Sequence, residues 1–121
     1  MTPMITIVDD DEMVRSSIDS LIRSYGYRTL SFPSAEDFLQ SGQVTQISCL
    51  ITDLHMLGLS GLDLQSQLRA KGFATPVIFV TAYPEGTFRD RALQNGAVGF
   101  LNKPFNEDCL LTCIDRALQK A

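Results

Sequence analysis

The sequence predicts a doubly wound α/β fold, in which one parallel β-sheet is covered by helices on both faces. Strand-like and helix-like segments alternate along the 121 residues to give five strands and five helices. Four of the five strand-like segments are almost continuously apolar, which is typical of strands buried on both faces of a parallel sheet. The second strand-like segment is more polar and suits an edge of the sheet.

The predicted strands are short runs of apolar and β-branched residues that stop at charged or turn-forming residues. Pro76 is compatible with the fourth strand because it stands at the first position, where a missing N–H is tolerated. In chain order, the strands are predicted at Met4–Val8, Tyr27–Phe32, Cys49–Thr52, Pro76–Thr81 and Val98–Leu101.

Each predicted strand is followed by a segment with apolar residues at helical spacing. Ser34, with Asp37 three residues later, is typical of a helix start, and Gly72 is typical of a helix end. In chain order, the helices are predicted between Met13 and Gly26, from Ser34 to about Gln40, from Gly61 to about Ala70, from about Pro84 to Asn95, and from about Asn106 to Gln119.

Composition narrows the class of protein. With 45% hydrophobic and 20% charged residues, the chain can bury one core, and a single domain over residues 1–121 is expected. We find no apolar run long enough for a membrane span and no signal-peptide pattern, and so expect a cytoplasmic protein. The net charge of −4 opposes the attraction that drives nucleic-acid binding, so direct DNA binding is not expected.

Histidine and cysteine content narrows the chemistry. His55 is the only histidine, which excludes a multi-histidine metal site. The three cysteines have no CxxC spacing and are predicted to pack as small apolar residues. We expect packing, and not metal binding, also for Cys109 and Cys113, four residues apart on a predicted helix. Any chemistry must therefore rely on carboxylates, hydroxyls and lysine.

Reactive side chains stand at the ends of four of the five predicted strands. Asp9 and Asp10 follow the first strand, Asp53 follows the third, Thr81 ends the fourth, and Lys103 follows the fifth. Ligands of doubly wound sheets bind beyond the carboxyl ends of the strands, where the strand order reverses. If the first and third strands are neighbours, three carboxylates crowd together and need a cation to stay ionised. The pattern predicts a site for Mg²⁺ and a phosphoryl group, since hard oxygen ligands favour this ion.

Each of these residues alone also fits a structural role. The acidic run from Asp9 to Glu12 suits a helix N-terminus, and Asp53 could form a turn after a strand. Thr81 could cap a helix, and Lys103 could be a surface charge. Their joint placement at successive strand ends favours a shared site, because caps and turns do not require it.

The residues at the strand ends belong to five short motifs spread over essentially the whole chain. The motifs are Ile7-Val-Asp-Asp10; Asp53 followed by Met56, Gly58, Ser60-Gly61 and Leu62-Asp63; Val80-Thr-Ala82; Gly96-Ala97 with Gly99-Phe-Leu101; and Lys103-Pro-Phe105. In this order and at these spacings, they resemble the response-regulator receiver domains of two-component signalling. The resemblance implies the flavodoxin-like strand order 2-1-3-4-5.

The resemblance also implies which residues take part in phosphorylation. Asp53 is the implied phosphoacceptor, which takes a phosphoryl group from a phosphohistidine on a sensor histidine kinase. Mg²⁺ would be bound by Asp53, by Asp10 directly, by Asp9 mainly through water, and by the backbone carbonyl of His55. Such a domain is not a conventional enzyme, since it catalyses only its own phosphorylation and dephosphorylation.

Further implied roles concern the phosphoryl oxygens and the conformational switch. Thr81 and Lys103 would hold the oxygens of the new phosphoryl group. Phe100 would be the aromatic switch residue that turns inward as Thr81 moves, and the Lys103–Pro104 peptide would be cis. Positioning and charge neutralisation by one metal and one lysine are what phosphoryl transfer mainly requires.

Three residues near the site vary from the family pattern or tune it. Leu57 stands where the family usually has proline, which leaves the loop after Asp53 less constrained. His55 could affect hydrolysis of the phosphoryl group or could be a solvated loop residue. Tyr83 occupies the other variable position that tunes the lifetime of the phosphoryl group.

The resemblance further implies partners. Receivers of this kind usually signal through the face made by the fourth helix, fifth strand and fifth helix, often by forming a homodimer on phosphorylation. The stretch from Gly96 to Phe105 is most similar to receivers that precede a helix-turn-helix transcription domain. We therefore expect a DNA-binding output domain that is absent from this chain.

Three rival functions remain open at this stage. A flavodoxin-like electron carrier would share the strand order, but the run from Asp9 to Glu12 repels a flavin phosphate. A haloacid-dehalogenase-like phosphatase would have a second acid two residues after Asp53, where this chain has His55. A degenerate receiver that serves only for docking would lack some of the five key residues.

Overall fold

The fold is built on five short parallel strands, described in a computed structural model that covers residues 3–56, 58–82 and 86–119. The strands are β1 (Met4–Val8), β2 (Arg28–Phe32), β3 (Cys49–Asp53), β4 (Val77–Thr81) and β5 (Gly99–Asn102). They form one sheet in the order β2-β1-β3-β4-β5. This order confirms the predicted fold class.

In the described part of the chain, five helices follow the strands, close to the predicted segments. They are α1 (Glu12–Ser24), α2 (Ala35–Gln40), α3 (Gly61–Ala70), α4 (Gly86–Gln94) and α5 (Glu107–Gln119). A single 3₁₀ turn at Val44–Gln46, which the sequence did not predict, precedes β3. The predicted start of the fourth helix at Pro84 lies outside the described residues.

Each face of the sheet carries its own apolar cluster, because successive side chains of a strand point to opposite faces. In β1, Ile5 and Ile7 pack with α1 and α5, whereas Val8 packs with α2 and α3 on the other face. All residues of β3 and β4 are buried, while β2 is partly exposed along its length. The polar second strand therefore lies at an edge, as predicted.

Two apolar residues of the predicted helices are exposed, one of them a cysteine that was predicted to pack. Met13 is 80% exposed, and Cys109 is also exposed. Both precede the first residue of a buried helical stripe by one position, at Val14 in α1 and at Leu110 in α5. One residue turns a helix by about 100°, which moves both side chains off the buried face.

The acidic residues after β1 have two different positions, one at the start of α1 and the others at the edge of the sheet. Asp11 is the N-cap of α1, where its carboxylate accepts hydrogen bonds from the backbone N–H groups of Met13 at 2.9 Å and Val14 at 3.2 Å. The helix-capping role therefore belongs to Asp11, and Asp9 and Asp10 precede the helix.

Within the described residues, no helix has both the length and the apolar character that a membrane crossing needs.

Candidate functional site

The strand register brings the predicted site residues to one edge of the sheet. Asp53 is paired with Val80, and Thr81 is paired with Asn102. Thr81 therefore lies one position beyond the partner of Asp53, and Lys103 lies one position beyond the partner of Thr81. All three residues stand at the carboxyl ends of neighbouring strands, where the parallel topology concentrates side chains from different parts of the chain.

The acidic cluster is formed by Asp9, Asp10 and Asp53, which can each place a carboxylate oxygen within 4.8 Å of the others. Asp9 is 1% exposed and Asp53 is 8% exposed, whereas Asp10 is exposed. The crowding follows from β1 and β3 being neighbours in the sheet. Two acidic groups are thus fixed in the rim of the sheet, and the third lies at its open side.

Lys103 links the buried members of this cluster. Its ammonium donates to Oδ2 of Asp9 at 3.0 Å and to Oδ2 of Asp53 at 3.2 Å. Its backbone N–H donates to the carbonyl of Thr81 at 2.7 Å, and the Lys103–Pro104 peptide is cis. One ammonium carries a single positive charge, whereas the three carboxylates of the cluster carry three negative charges when all of them are ionised.

Burial and neighbouring charges raise the pKa of two of these groups, Asp9 and Lys103. Burial raises the pKa of Asp9 above its ordinary 3.8, and the hydrogen bonds from the backbone N–H of Asp11 at 2.9 Å and from Lys103 offset this only in part. For Lys103, burial alone would lower the pKa, but the hydrogen bond and charge of Asp9, joined by those of Asp53, outweigh it and raise the pKa. Lys103 is therefore charged at neutral pH, and the site favours additional positive charge.

The donor set fits a hard divalent cation. Three carboxylates supply oxygen ligands within one small space, and hard oxygen ligands are those that a divalent ion such as Mg²⁺ prefers. The exposure of Asp10 leaves that side of the cluster open to water, which Mg²⁺ retains when it binds proteins. The cluster could therefore hold a metal ion.

The segment after Asp53 folds back on the site. The backbone N–H of His55 donates to Oδ1 of Asp53 at 3.3 Å, and the exposed His55 ring is nearly perpendicular to the Phe88 ring, with 5.2 Å between the centroids. The backbone N–H of Gly61 donates to the carbonyl of Leu54 at 3.0 Å, which closes the loop before α3. Leu57 and Tyr83, which the sequence singled out, lie outside the described residues.

Phe100, the predicted switch aromatic, is on β5 beside the site. It is paired with Phe79 of β4, and the two ring centroids are 6.1 Å apart. Phe100 is partly buried and packs against the cluster shared by α2, α3 and α4. The aromatic side chain therefore connects β5 to the helical face that also contains α4.

Two residues around the site, Arg15 and Glu36, were missed by sequence reasoning, and a third, Gly61, was noted only as part of a motif and as a helix start. Arg15 of α1 donates to the backbone carbonyl of Asp9 at 2.7 Å, and Glu36 of α2 accepts from the backbone N–H of Leu59 at 3.1 Å. Gly61 lies directly against the backbone of Asp53. Position in the sequence gave no signal for Glu36 because its partner is 23 residues away, on a different element.

Known proteins are similar to this chain over nearly its whole length. A profile described as the response regulator receiver domain matches residues 5–115. The response regulator protein TodT of Pseudomonas putida strain F1 is 40% identical over 118 residues, which are 98% of this chain and 52% of that protein. The transcriptional regulatory protein TdiR of Thauera aromatica is 37% identical over 112 residues, or 93% of this chain and 49% of that protein.

The fold of this chain is also similar to that of a solved structure. The crystal structure of FixJ-N superposes with a TM-score of 0.90 and 30% sequence identity, covering 100% of this chain and 97% of that chain. By contrast, the chain spans about half the length of the curated relatives it matches.

Proposed function

The chain belongs to the response regulator receiver domains of two-component signalling, and we propose that Asp53 is the residue on which it accepts a phosphoryl group. The observation that supports this most strongly is the contact of the Asp53 carboxylate with the Lys103 ammonium at 3.2 Å, inside a cluster of three carboxylates. Asp53 is at the centre of the rim because β3 lies between β1 and β4.

We propose the following transfer step. A carboxylate oxygen of Asp53 forms the new bond to phosphorus, while the bond between phosphorus and an imidazole nitrogen of the donor phosphohistidine breaks. The nitrogen keeps the electron pair of that bond and takes up a proton. The Lys103 ammonium would then move from its carboxylate partners toward the phosphoryl oxygens, and the hydroxyl of Thr81 would donate to one of them.

The proposed metal is Mg²⁺, held by Asp9, Asp10 and Asp53 with the backbone carbonyl of His55. Bound there, it would neutralise charge on the carboxylates and on the phosphoryl oxygens. Burial and Lys103 fix the carboxylates of Asp9 and Asp53, so these two metal ligands would already be oriented before the phosphoryl donor arrives. Exposed Asp10 would complete the ligand set from the solvent side.

The proposed donor is a sensor histidine kinase, as for other receiver domains. An open, mainly apolar groove of about 380 Å³ lies beside the site, between α1 and the segment after β5. Its lining includes Met13, Pro104 and Phe105, together with Lys103, whose ammonium reaches Asp53. A helical surface of the kinase seated there would bring its phosphohistidine close to Asp53.

The rest of the signalling path is proposed from the family. Residues 1–121 would form one receiver domain of a cytoplasmic transcription regulator, and the relative TdiR carries the name of such a regulator. The DNA-binding output domain would lie outside this chain. Phosphorylation would change the face made by α4, β5 and α5 and favour a homodimer, while the domain would act as a phosphoacceptor and not as an enzyme on other substrates.

The proposal is tested by intact-mass spectrometry after incubation with acetyl phosphate and Mg²⁺. We expect one added phosphoryl group in the wild type and in Asp37→Asn, which removes an exposed carboxylate elsewhere. We expect none in Asp53→Asn or when a chelator removes Mg²⁺. Unchanged labelling of Asp53→Asn would refute Asp53 as the acceptor.

A further inference from the structure

We propose that Glu36 is a positioning residue for the phosphoacceptor site, which holds, from helix α2, the backbone of the loop between Asp53 and α3. The inference rests on the proposed function of Asp53, which it deepens. Glu36 is the second residue of α2 and is not a member of the acidic cluster. Its action would pass through the loop backbone.

The contact between Glu36 and the loop is direct. Oε2 of Glu36 accepts a hydrogen bond from the backbone N–H of Leu59 at 3.1 Å. The preceding residue, Gly58, has a φ of +79°, and a Cβ atom built on it would lie 2.2 Å from the same oxygen. A glycine at position 58 therefore allows both the left-handed backbone and the close approach of the carboxylate.

The second carboxylate oxygen of Glu36 is enclosed. Oε1 is buried and has no hydrogen-bond partner among the described residues. An enclosed carboxylate oxygen is costly, and structures retain such groups where they have a specific role or bind a water molecule. Here the role consistent with the contacts is to present Oε2 to the loop, since an apolar side chain in this position could not hold Leu59.

The loop transmits this restraint to Asp53. One end is held at His55, whose N–H donates to Oδ1 of Asp53 at 3.3 Å. The other end is held at Leu59 by Glu36, and the N–H of Gly61 closes the loop on the carbonyl of Leu54. Releasing Leu59 would remove one of the restraints on the loop that carries the His55 carbonyl, a proposed metal ligand. The position of that carbonyl would then be less well defined relative to Asp53.

The test compares Glu36→Ala with two controls in the same helix. Glu36→Gln keeps an acceptor oxygen for Leu59, and Asp37→Ala removes the charge of the exposed neighbouring residue. Mg²⁺ affinity is measured by calorimetry, and the phosphorylation rate with acetyl phosphate is measured over a range of Mg²⁺ concentrations. Hydrogen exchange of the Leu59 N–H reports on the contact itself, independently of phosphorylation.

We expect Glu36→Ala to weaken Mg²⁺ binding by up to about tenfold, because the lost hydrogen bond to a charged group contributes about this factor to holding the loop, and the loop must then be ordered when the metal binds. The phosphorylation rate should fall mainly at low Mg²⁺ and recover in part at saturation, with faster exchange at Leu59. Glu36→Gln and Asp37→Ala should stay within about threefold of the wild type. If the alanine variant does not fold, Glu36→Leu, which preserves more side-chain volume, provides the same comparison.

Two results would overturn the inference. One is wild-type Mg²⁺ affinity and wild-type phosphorylation in Glu36→Ala while exchange at Leu59 is faster, because the contact would then have no effect on the site. The other is equal loss in Glu36→Ala and Asp37→Ala, which would indicate an effect of charge alone. Absence of phosphorylation in every protein, including the wild type, would instead refute the proposed function of Asp53.

Discussion

Replacing Gly61 with alanine provides a sharp test of how the backbone around Asp53 is packed. A Cβ atom at position 61 would lie 2.3 Å from the carbonyl oxygen of Asp53, 3.1 Å from its carbonyl carbon and 3.0 Å from Cε1 of Phe79. Phe79 is fully buried, and the Asp53 backbone is fixed in the sheet. Neither neighbour can yield without moving β3, β4 or the start of α3.

Packing and helix propensity predict opposite effects for this change. Overpacking against buried backbone costs up to about 3 kcal/mol, whereas alanine in place of glycine stabilises by at most about 1 kcal/mol, the value for a helix interior, because Gly61 is the first residue of α3. The net expectation is a loss of about 2 kcal/mol in the free energy of unfolding. For a domain of this size, the corresponding fall in Tm is about 10 °C.

The assay is thermal unfolding of Gly61→Ala beside Gly26→Ala, followed by phosphorylation with acetyl phosphate. Gly26 has a φ of +91° and no atom within 4 Å of a built Cβ, so alanine there should cost about 1 kcal/mol of backbone strain only. Gly61→Ala should also slow phosphorylation, because the displaced carbonyl belongs to Asp53, whereas Gly26→Ala should not. A Tm for Gly61→Ala equal to or above that of the wild type would refute this reasoning.

Two further predictions concern charge in the site. Millimolar Mg²⁺ should raise the Tm at neutral pH and raise it less in acid. The folded-state pKa of Asp9 is raised above 3.8, so the stability linked to its protonation is present below pH 3.8 and is lost as the pH rises through the raised pKa. Mg²⁺ binds the ionised carboxylate, and its stabilising effect is therefore largest above that pKa. A Tm increment that does not change with pH would contradict this. Lys103→Gln should lower the free energy of unfolding by about 2 kcal/mol at neutral pH, because Asp9 loses the ammonium 3.0 Å away. In urea titrations the deficit should shrink as acid protonates Asp9, and a deficit independent of pH would be inconsistent with the ion pair.

The sheet and the acidic cluster could be predicted from the sequence because both depend on local signals. The apolar strands contrast with the more polar β2, and the chemically active residues stand directly at strand ends. Once parallel strands are placed side by side, Asp53, Thr81 and Lys103 must meet at one rim. The crowding of Asp9, Asp10 and Asp53 therefore follows from strand order and needs no detailed knowledge of side-chain packing.

Other features depend on contacts between distant elements and could not be predicted. The run from Asp9 to Glu12 does not reveal that Asp11 is the helix cap, since any of its acids has a suitable side chain. Glu36 and Leu59 meet only because α2 packs beside the loop after Asp53. Met13 fits an apolar helical position by spacing. The buried face of α1 begins at Val14, however, and the Met13 side chain is exposed.

The most direct measurement of the central proposal is to locate the phosphoryl group within the chain. After incubation with acetyl phosphate and Mg²⁺, borohydride reduction converts an aspartyl phosphate to homoserine, and peptide mass spectrometry then identifies the modified position. We predict homoserine at position 53 and at no other aspartate, including the neighbouring Asp9 and Asp10. Homoserine at another position, or none while the intact protein gains a phosphoryl group, would contradict Asp53 as the phosphoacceptor.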